Sequence, residues 1–114
     1  MQTSLQITVR DMSRSEALEQ RIREKAEKLE QFHPRITSCR VLVEAAGRHH
    51  HQGCQFNVRL DIRVPGREIV ATRDHDEDVY VALRDAFDAA GRQLEEVARE
   101  MRGDVKSHDT DPRP

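Results

Sequence analysis

The sequence predicts an α+β fold, a two-layer sandwich in which two helices cover one face of a four-stranded sheet. Residues 54–64 alternate between apolar and polar side chains without a fault, as expected for a strand with one buried face. Residues 13–32 and 79–102 carry apolar side chains at helical spacing, in one stripe each. Three further strand patterns complete the predicted order β-α-β-β-β-α. Because each helix has a single apolar stripe, both helices can lie on the same face of the sheet.

Strand one and helix one are predicted from alternation and from helix-end signals. Residues 5–9 alternate apolar with polar side chains, and we expect this strand at an edge of the sheet or beside a later strand. Ser13, with Glu16 three residues later, is the capping box that predicts the start of helix one. His33 and Pro34 predict its end, because proline cannot continue the helical hydrogen bonds.

The next three strands are expected to form an antiparallel meander. Residues 36–46 have a β-branched centre, and residues 54–64 carry the strict alternation. The segment 47–53 between them has a glycine at each end and predicts a loop. A Pro-Gly pair after residue 64 predicts a turn, and residues 68–72 predict a short fourth strand.

Helix two is predicted to begin after an acidic cluster at residues 74–78, since carboxylates suit the positive end of a helix. It continues to about residue 102 and is expected to stop at Gly103. Within the cluster, Asp74-His75-Asp76 could suggest a catalytic group. A capping role for these residues requires fewer assumptions, and we adopt it.

Composition is that of one polar globular domain. The 114 residues are 36% hydrophobic and 35% charged, with a formal net charge of −2. We expect one domain at residues 1–102 and a polar, disordered tail at residues 103–114. No apolar run reaches transmembrane length and the N-terminus lacks a signal peptide's apolar core, so we expect a cytosolic protein without a membrane partner. In the cytosol, Cys39 and Cys54 are expected to be reduced, buried thiols.

The charges of helix one are segregated although they balance. Residues 13–32 hold five basic and five acidic side chains, but four of the basic ones fall within a sector of roughly 60° beside the apolar stripe. This row consists of Arg14, Arg21, Lys25 and Lys28. It can be a ridge that lies along a polyanion, or an ordinary solvated surface with charge pairs one turn apart.

The rest of the chain divides its charge between the sheet and helix two. Residues 35–73 hold seven arginines against three acidic residues, and Arg40, Arg59 and Arg63 are expected on the exposed face of the sheet. Residues 74–102 hold four basic against nine acidic residues. Any polyanion is therefore expected to contact helix one and the sheet.

Patterns for catalysis and metal binding are weak. His49-His50-His51 lies in the predicted loop without a second Cys/His pair, so we expect no metal site. Cys54 belongs to the apolar face of its strand, which favours core packing over a nucleophile. The chain has no glycine-rich phosphate loop and no paired-carboxylate motif. We expect no enzyme, no cofactor and no small-molecule substrate, and the absence of tryptophan argues against a protein that stacks many bases.

Two segments carry a resemblance to a known family. Helix one reads Glu16-Ala17-Leu18, Ile22 and Lys25-x-x-Lys28-Leu29-Glu30, and helix two reads Glu77-Asp78-Val79-Tyr80-x-Ala82-Leu83 and later Arg92-Gln93-Leu94. These motifs, in this order of elements, resemble the ribosome hibernation-promoting factor and ribosome-associated translation inhibitor family. The resemblance covers residues 4–102, and the length is that of a short family member.

The resemblance implies a fold like that of a double-stranded-RNA-binding domain. It also implies binding to the small ribosomal subunit and its ribosomal RNA, in the channel used by messenger and transfer RNA, and silencing of idle ribosomes. Tyr80 is expected to be either a core anchor or a stacking contact on RNA. The expected RNA-binding residues are Arg14, Arg21, Lys25, Lys28, Arg40, Arg59, Arg63, Tyr80 and Arg92.

The acidic second helix departs from the family, whose second helix is usually rich in lysine. Ala89-Ala90 follows Asp88 where the family tends to have Lys-Leu. An alternative function is therefore a non-ribosomal protein-interaction domain, in which the acidic second helix docks a basic protein.

Overall fold

The computed structural model describes the backbone of residues 4–48 and 54–110 and the side chains of residues 4–45 and 55–102. Within these residues the order of elements is β-α-β-β-β-α, as the sequence predicts. The elements are β1 (Ser4–Arg10), α1 (Glu16–Phe32), β2 (Ser38–Arg48), β3 (Cys54–Val64), β4 (Arg67–Asp76) and α2 (Val79–Thr110).

The described strands form one sheet in the order β1-β2-β3-β4. β1 lies at an edge and pairs with β2 in parallel, whereas β2, β3 and β4 form the antiparallel meander. In register across the sheet, Ile7 lies beside Val41, Val41 beside Leu60, and Leu60 beside Ala71. Side chains alternate across a strand, so this register places one continuous apolar row on a single face.

Both helices cover that apolar face, and they run side by side in the same direction. Arg21 of α1 lies over the Tyr80 ring of α2. Further along both helices, Leu29 Cδ1 lies 3.8 Å from the point that a Cβ atom on Gly91 would occupy. Later residues of α1 therefore meet later residues of α2. The core combines the apolar stripes of both helices with the inner face of the sheet. Its largest fully buried side chains are Leu18, Ile22, Val41, Val43, Val58, Leu60, Ile62 and Leu83.

Helix α1 begins two residues later than its capping box predicts. The N-cap is Ser15, whose Oγ accepts a hydrogen bond of 3.2 Å from the Leu18 amide, so the assignment of the cap to Ser13 is wrong. The hydrogen bond from the Leu18 amide to Ser15 Oγ uses only the backbone of the third helical residue. The cap therefore does not need the glutamate that defines a capping box. A start at Glu16 places Leu18, the first core residue, in the first turn. The end of the helix at His33 is confirmed.

Three predicted element ends fall short of those observed. β2 continues to Arg48, into the predicted loop, and β4 spans Arg67–Asp76. Helix α2 continues through Gly103 to Thr110, so its predicted end at Gly103 is wrong. One glycine costs a helix only about 1 kcal/mol and does not by itself end it.

Disorder of residues 103–114 as a separate tail stays a prediction, and residues 111–114 lie outside the described part.

The longer β4 contains a bulge that the Asp74-His75-Asp76 segment forms. Phe56 of β3 pairs with Asp76 of β4, but Val58 pairs with Arg73. Asn57 therefore lies opposite two residues of β4, Asp74 and His75, which form the bulge. Its Oδ1 accepts a hydrogen bond of 2.9 Å from the amide of His75, which has a positive φ of 63°.

The turn from β4 into α2 is held by two carboxylates. Asp76 Oδ1 accepts from the amide of Asp78 at 2.9 Å, and Asp78 Oδ1 accepts from the amides of Tyr80 at 2.9 Å and Val81 at 3.4 Å. Asp78 is therefore the side chain that caps α2. The acidic cluster lies at a helix start, as predicted, but the capping role assigned to Asp74-His75-Asp76 is wrong, because these residues end β4 and Asp78 caps the helix.

The register of the β2–β3 pair separates the two cysteines. Cys39 lies opposite Ile62, whereas Cys54 lies opposite Arg48 at the other end of the hairpin. Eight residues of strand separate Ile62 from Cys54, which is about 27 Å at the rise of a β-strand and far beyond the reach of a disulfide. Cys39 is buried and free, as predicted. The side chain of Cys54 and residues 49–53, with their three histidines, lie outside the described part.

Leu60 tests the core assignment. It is fully buried at the centre of β3, so Leu60→Ala should lower the free energy of unfolding by about 2–5 kcal/mol, measured by urea denaturation. The control is Val70→Ala in β4, whose side chain is 40% exposed and should lose less than about 1 kcal/mol. Equal losses from the two variants would contradict the assignment.

Cys39 should alkylate slowly in the folded protein and rapidly in urea. Burial and the nearby Asp61 carboxylate raise the pKa of its thiol from 9.0 to about 11, so little reactive thiolate forms at neutral pH. The buried neutral thiol favours folding below about pH 9, and this contribution is lost as the pH rises through 11. Peptide mapping after timed iodoacetamide treatment measures the rate. Equal rates in buffer and urea would rule out the buried thiol.

Candidate nucleic-acid interface

A groove between the two helices collects three of the predicted RNA-binding side chains. Lys25 and Lys28 of α1 line one wall, and Arg92 of α2 lies on the other. Asp88 and Glu95 line the same groove, yet no ion pair within 4.0 Å joins them to these cations in the described part of the chain. The cations are therefore available to an anionic ligand.

Arg21 continues the basic row toward the N-terminal end of the groove. Its guanidinium carbon lies 5.0 Å from the centre of the Tyr80 ring, within the distance of a cation–π contact. Tyr80 itself is half-buried and packs against the core. This contact supports the core-anchor interpretation of Tyr80, because one face of the ring is already covered. Its stacking on RNA stays a prediction.

Arg14 lies outside the helical row. It precedes the Ser15 cap, so helical spacing does not fix its direction. Its side chain pairs with Glu19 and donates a hydrogen bond of 3.4 Å to the carbonyl oxygen of Ile7, on β1. The sequence predicts Arg14 beside Lys25 and Lys28 because it assumes that the helix already includes residue 14. The helix starts at Glu16, so this placement of Arg14 is wrong.

The predicted arginines of the sheet lie on the face opposite the helices. Arg40, Arg59 and Arg63 are exposed there, as the alternation predicts. Arg59 pairs with Asp61 at 3.1 Å and Arg63 with Glu68 at 3.8 Å. Apart from Arg14, the predicted RNA-binding residues thus form two surfaces on opposite sides of the domain, and the surface on the sheet is partly neutralised by its own carboxylates.

Two acidic residues of α2 are used within the fold. Glu100 pairs with Arg67 at 2.7 Å, and Asp85 pairs with Arg73 at 3.4 Å, so both carboxylates meet arginines of β4. Between these pairs, Gln93 Nε2 donates a hydrogen bond of 3.0 Å to the Val70 carbonyl oxygen. These contacts cover the outer edge of β4. Helical spacing alone does not reveal them, because the partners come from another element.

Phe32 is the residue of the groove that the sequence did not single out. It is the last residue of α1, it lines the groove beside Lys28, and its side chain is 70% exposed. It follows Leu29 of the apolar stripe by three residues, a spacing that gives no sign of exposure. Only the position of α2 decides that the ring stays uncovered.

The described residues contain no group of three His, Cys, Asp or Glu side chains that could hold a metal ion. No helix in the described ranges is long and apolar enough to cross a membrane.

Comparison with known proteins identifies the family. The family model described as sigma 54 modulation protein / S30EA ribosomal protein matches residues 5–102. The chain belongs to this family. The motifs of the two helices predict that the chain resembles the hibernation-promoting factors, and this family match confirms that prediction. A comparison with curated protein sequences gives no significant match.

Solved structures share the fold of this S30EA-family chain. A ribosomal subunit interface protein from Coxiella burnetii is 17% identical with a TM-score of 0.73, covering 84% of this chain and 98% of that one. The N-terminal domain of Protein Y from Thermus thermophilus is 18% identical with a TM-score of 0.68, covering 85% of this chain and 99% of that one. At this identity the likeness establishes the fold.

The contact between Arg21 and Tyr80 can be measured in this S30EA-family domain. Tyr80→Phe keeps an aromatic ring under Arg21, whereas Tyr80→Leu removes it. A double-mutant cycle of Tyr80→Leu with Arg21→Gln should give a coupling free energy of about 0.5–1 kcal/mol in urea denaturation. The same cycle with Tyr80→Phe should give a smaller coupling. No coupling in the leucine cycle would mean that the contact adds nothing to stability.

Proposed function

We propose that this protein is a ribosome-associated translation inhibitor of the hibernation type. It binds ribosomal RNA of the small subunit and occupies the channel used by messenger and transfer RNA, in the cytoplasm. The action is occlusion by a bound domain, with no chemical step and no cofactor. Family membership supports the ribosomal partner, since the family model is described as an S30EA ribosomal protein.

The observation that carries the proposal is the groove that brings Lys25, Lys28 and Arg92 together from two helices. Lysine and arginine side chains that are free of ion pairs can bind phosphates and release counterions. RNA helices display phosphates and 2′-hydroxyls more readily than base identity. A groove lined by unpaired cations therefore suits recognition of RNA by its backbone and shape.

The second basic surface supports occupation of an enclosed site. Arg40, Arg59 and Arg63 project from the sheet, away from the groove. A ligand on one flat surface would touch only one of these sets. RNA that surrounds the domain, as the walls of a channel do, can contact both.

The alternative, docking of a basic protein on acidic α2, is weakened by the ion pairs with β4. Asp85 and Glu100 already meet Arg73 and Arg67. On the outer surface of α2, Asp88, Glu95 and Glu96 are interspersed with Arg84, Arg92 and Arg99. This mixture does not form the single-sign field that steers a basic partner.

Charge reversal in the groove tests the proposal. Lys25→Glu with Lys28→Glu should strongly weaken binding to purified small subunits, measured by gradient co-sedimentation. Each lost phosphate contact should also lower the slope of log affinity against log salt by about one unit. Lys28 is exposed and Lys25 is only half-buried, so the fold should survive, which circular dichroism checks.

The control is Arg99→Glu, an equal charge reversal at an exposed position of α2. It should weaken binding much less than the double change. Equal losses from the two variants would point to general charge attraction and reject the groove. If the wild-type protein does not bind small subunits at low salt, the proposed function is wrong.

A further inference from the structure

Phe32 is the most exposed large apolar side chain in the described part of the chain, with 70% of its surface open. Its backbone is held at the end of a helix. It ends α1 directly before the His33 cap, whose amide donates a hydrogen bond of 2.9 Å to the Leu29 carbonyl oxygen. An exposed aromatic ring on a rigid element loses little conformational entropy when a ligand covers it.

The groove around Phe32 is lined by both apolar and charged side chains. Leu29 and Phe87 line it but are buried, whereas Lys28 and Arg92 are exposed there. Among the described side chains, the other two exposed large apolar residues are Val70 of β4 and Met101, late in α2. Phe32 therefore does not belong to a continuous apolar patch of the kind that marks a protein-docking surface.

A single aromatic ring beside cations is the arrangement that binds one unpaired nucleotide. Aromatic side chains stack on splayed-out bases, and neighbouring Lys or Arg side chains hold the flanking phosphates. Lys28 and Arg92 are placed for that role on opposite walls of the groove. The absence of tryptophan excludes an extended stacking platform, but it does not exclude one stacked base.

We propose that Phe32 stacks on an unpaired nucleobase of RNA, while Lys28 and Arg92 contact the phosphates on either side. This inference rests on the proposed function and adds a base contact to a surface otherwise described by phosphates and shape. It makes Phe32 a binding residue and the unpaired nucleotide its ligand.

The chain itself offers a clean probe, because it contains no tryptophan. In Phe32→Trp the introduced indole is the only one, and a stacked base quenches its fluorescence. A short oligoadenylate should quench the emission at low salt. An abasic oligonucleotide with the same number of phosphates should leave it nearly unchanged. The matched control, Met101→Trp at an exposed position late in α2, should show no difference between the two oligonucleotides.

Binding to small subunits provides the second measurement. Phe32→Ala should weaken binding about 5- to 150-fold, the range expected for loss of one stacked base. Phe32→Tyr should restore most of the affinity, whereas Phe32→Leu, apolar but not aromatic, should not. The salt slope should stay at the wild-type value, because no phosphate contact is lost.

The outcomes separate this inference from the proposed function. Equal quenching by the two oligonucleotides, or none, rejects the stacked base. Wild-type subunit binding by Phe32→Ala also rejects it but leaves the proposed function standing. Recovery by Phe32→Leu would indicate apolar contact with a ribosomal protein instead. If wild-type protein fails to bind subunits while oligoadenylate still quenches Phe32→Trp, the base contact stands and the ribosomal function falls.

Discussion

Both helices rest on the one apolar face of the sheet, and β3 lies at the centre of that face. Val58, Leu60 and Ile62 are fully buried, and β2 and β4 extend that face on either side. Because the opposite face stays open, two helices must share one surface and lie next to each other. Their parallel course brings the flank of α1 against the flank of α2. The groove that holds Lys25, Lys28 and Arg92 is a consequence of that packing.

The same packing determines what the acidic residues of α2 do. Asp85 and Glu100 lie on the side of α2 next to the edge strand β4. There they pair with two arginines of β4, Arg73 and Arg67. Exposed pairs of this kind contribute only about 0–1 kcal/mol each, so their main effect is on charge. They neutralise two carboxylates that would otherwise oppose an anionic ligand, which lets an acidic helix remain compatible with a basic groove.

At 17–18% identity the two solved structures share the fold of this chain. A core depends mainly on apolar volume and patterning, so the outer residues can change without loss of the fold. The functional surface is then set by which charged and aromatic side chains remain uncovered. Here those are the cations of the groove and the ring of Phe32.

Periodicity along the chain is enough to predict the strand alternation of residues 54–64, the two apolar helix stripes and the order of elements, because periodicity is a local property that needs no partner. The same alternation predicts Arg40, Arg59 and Arg63 on the open face. In contrast, the Ser15 cap of α1, the direction of Arg14 toward β1 and the exposure of Phe32 become known only from the folded structure. Each of these depends on a neighbour from another element or on the exact start of a helix. Helical spacing gives the direction of a side chain, but the packing of the second helix decides what it meets.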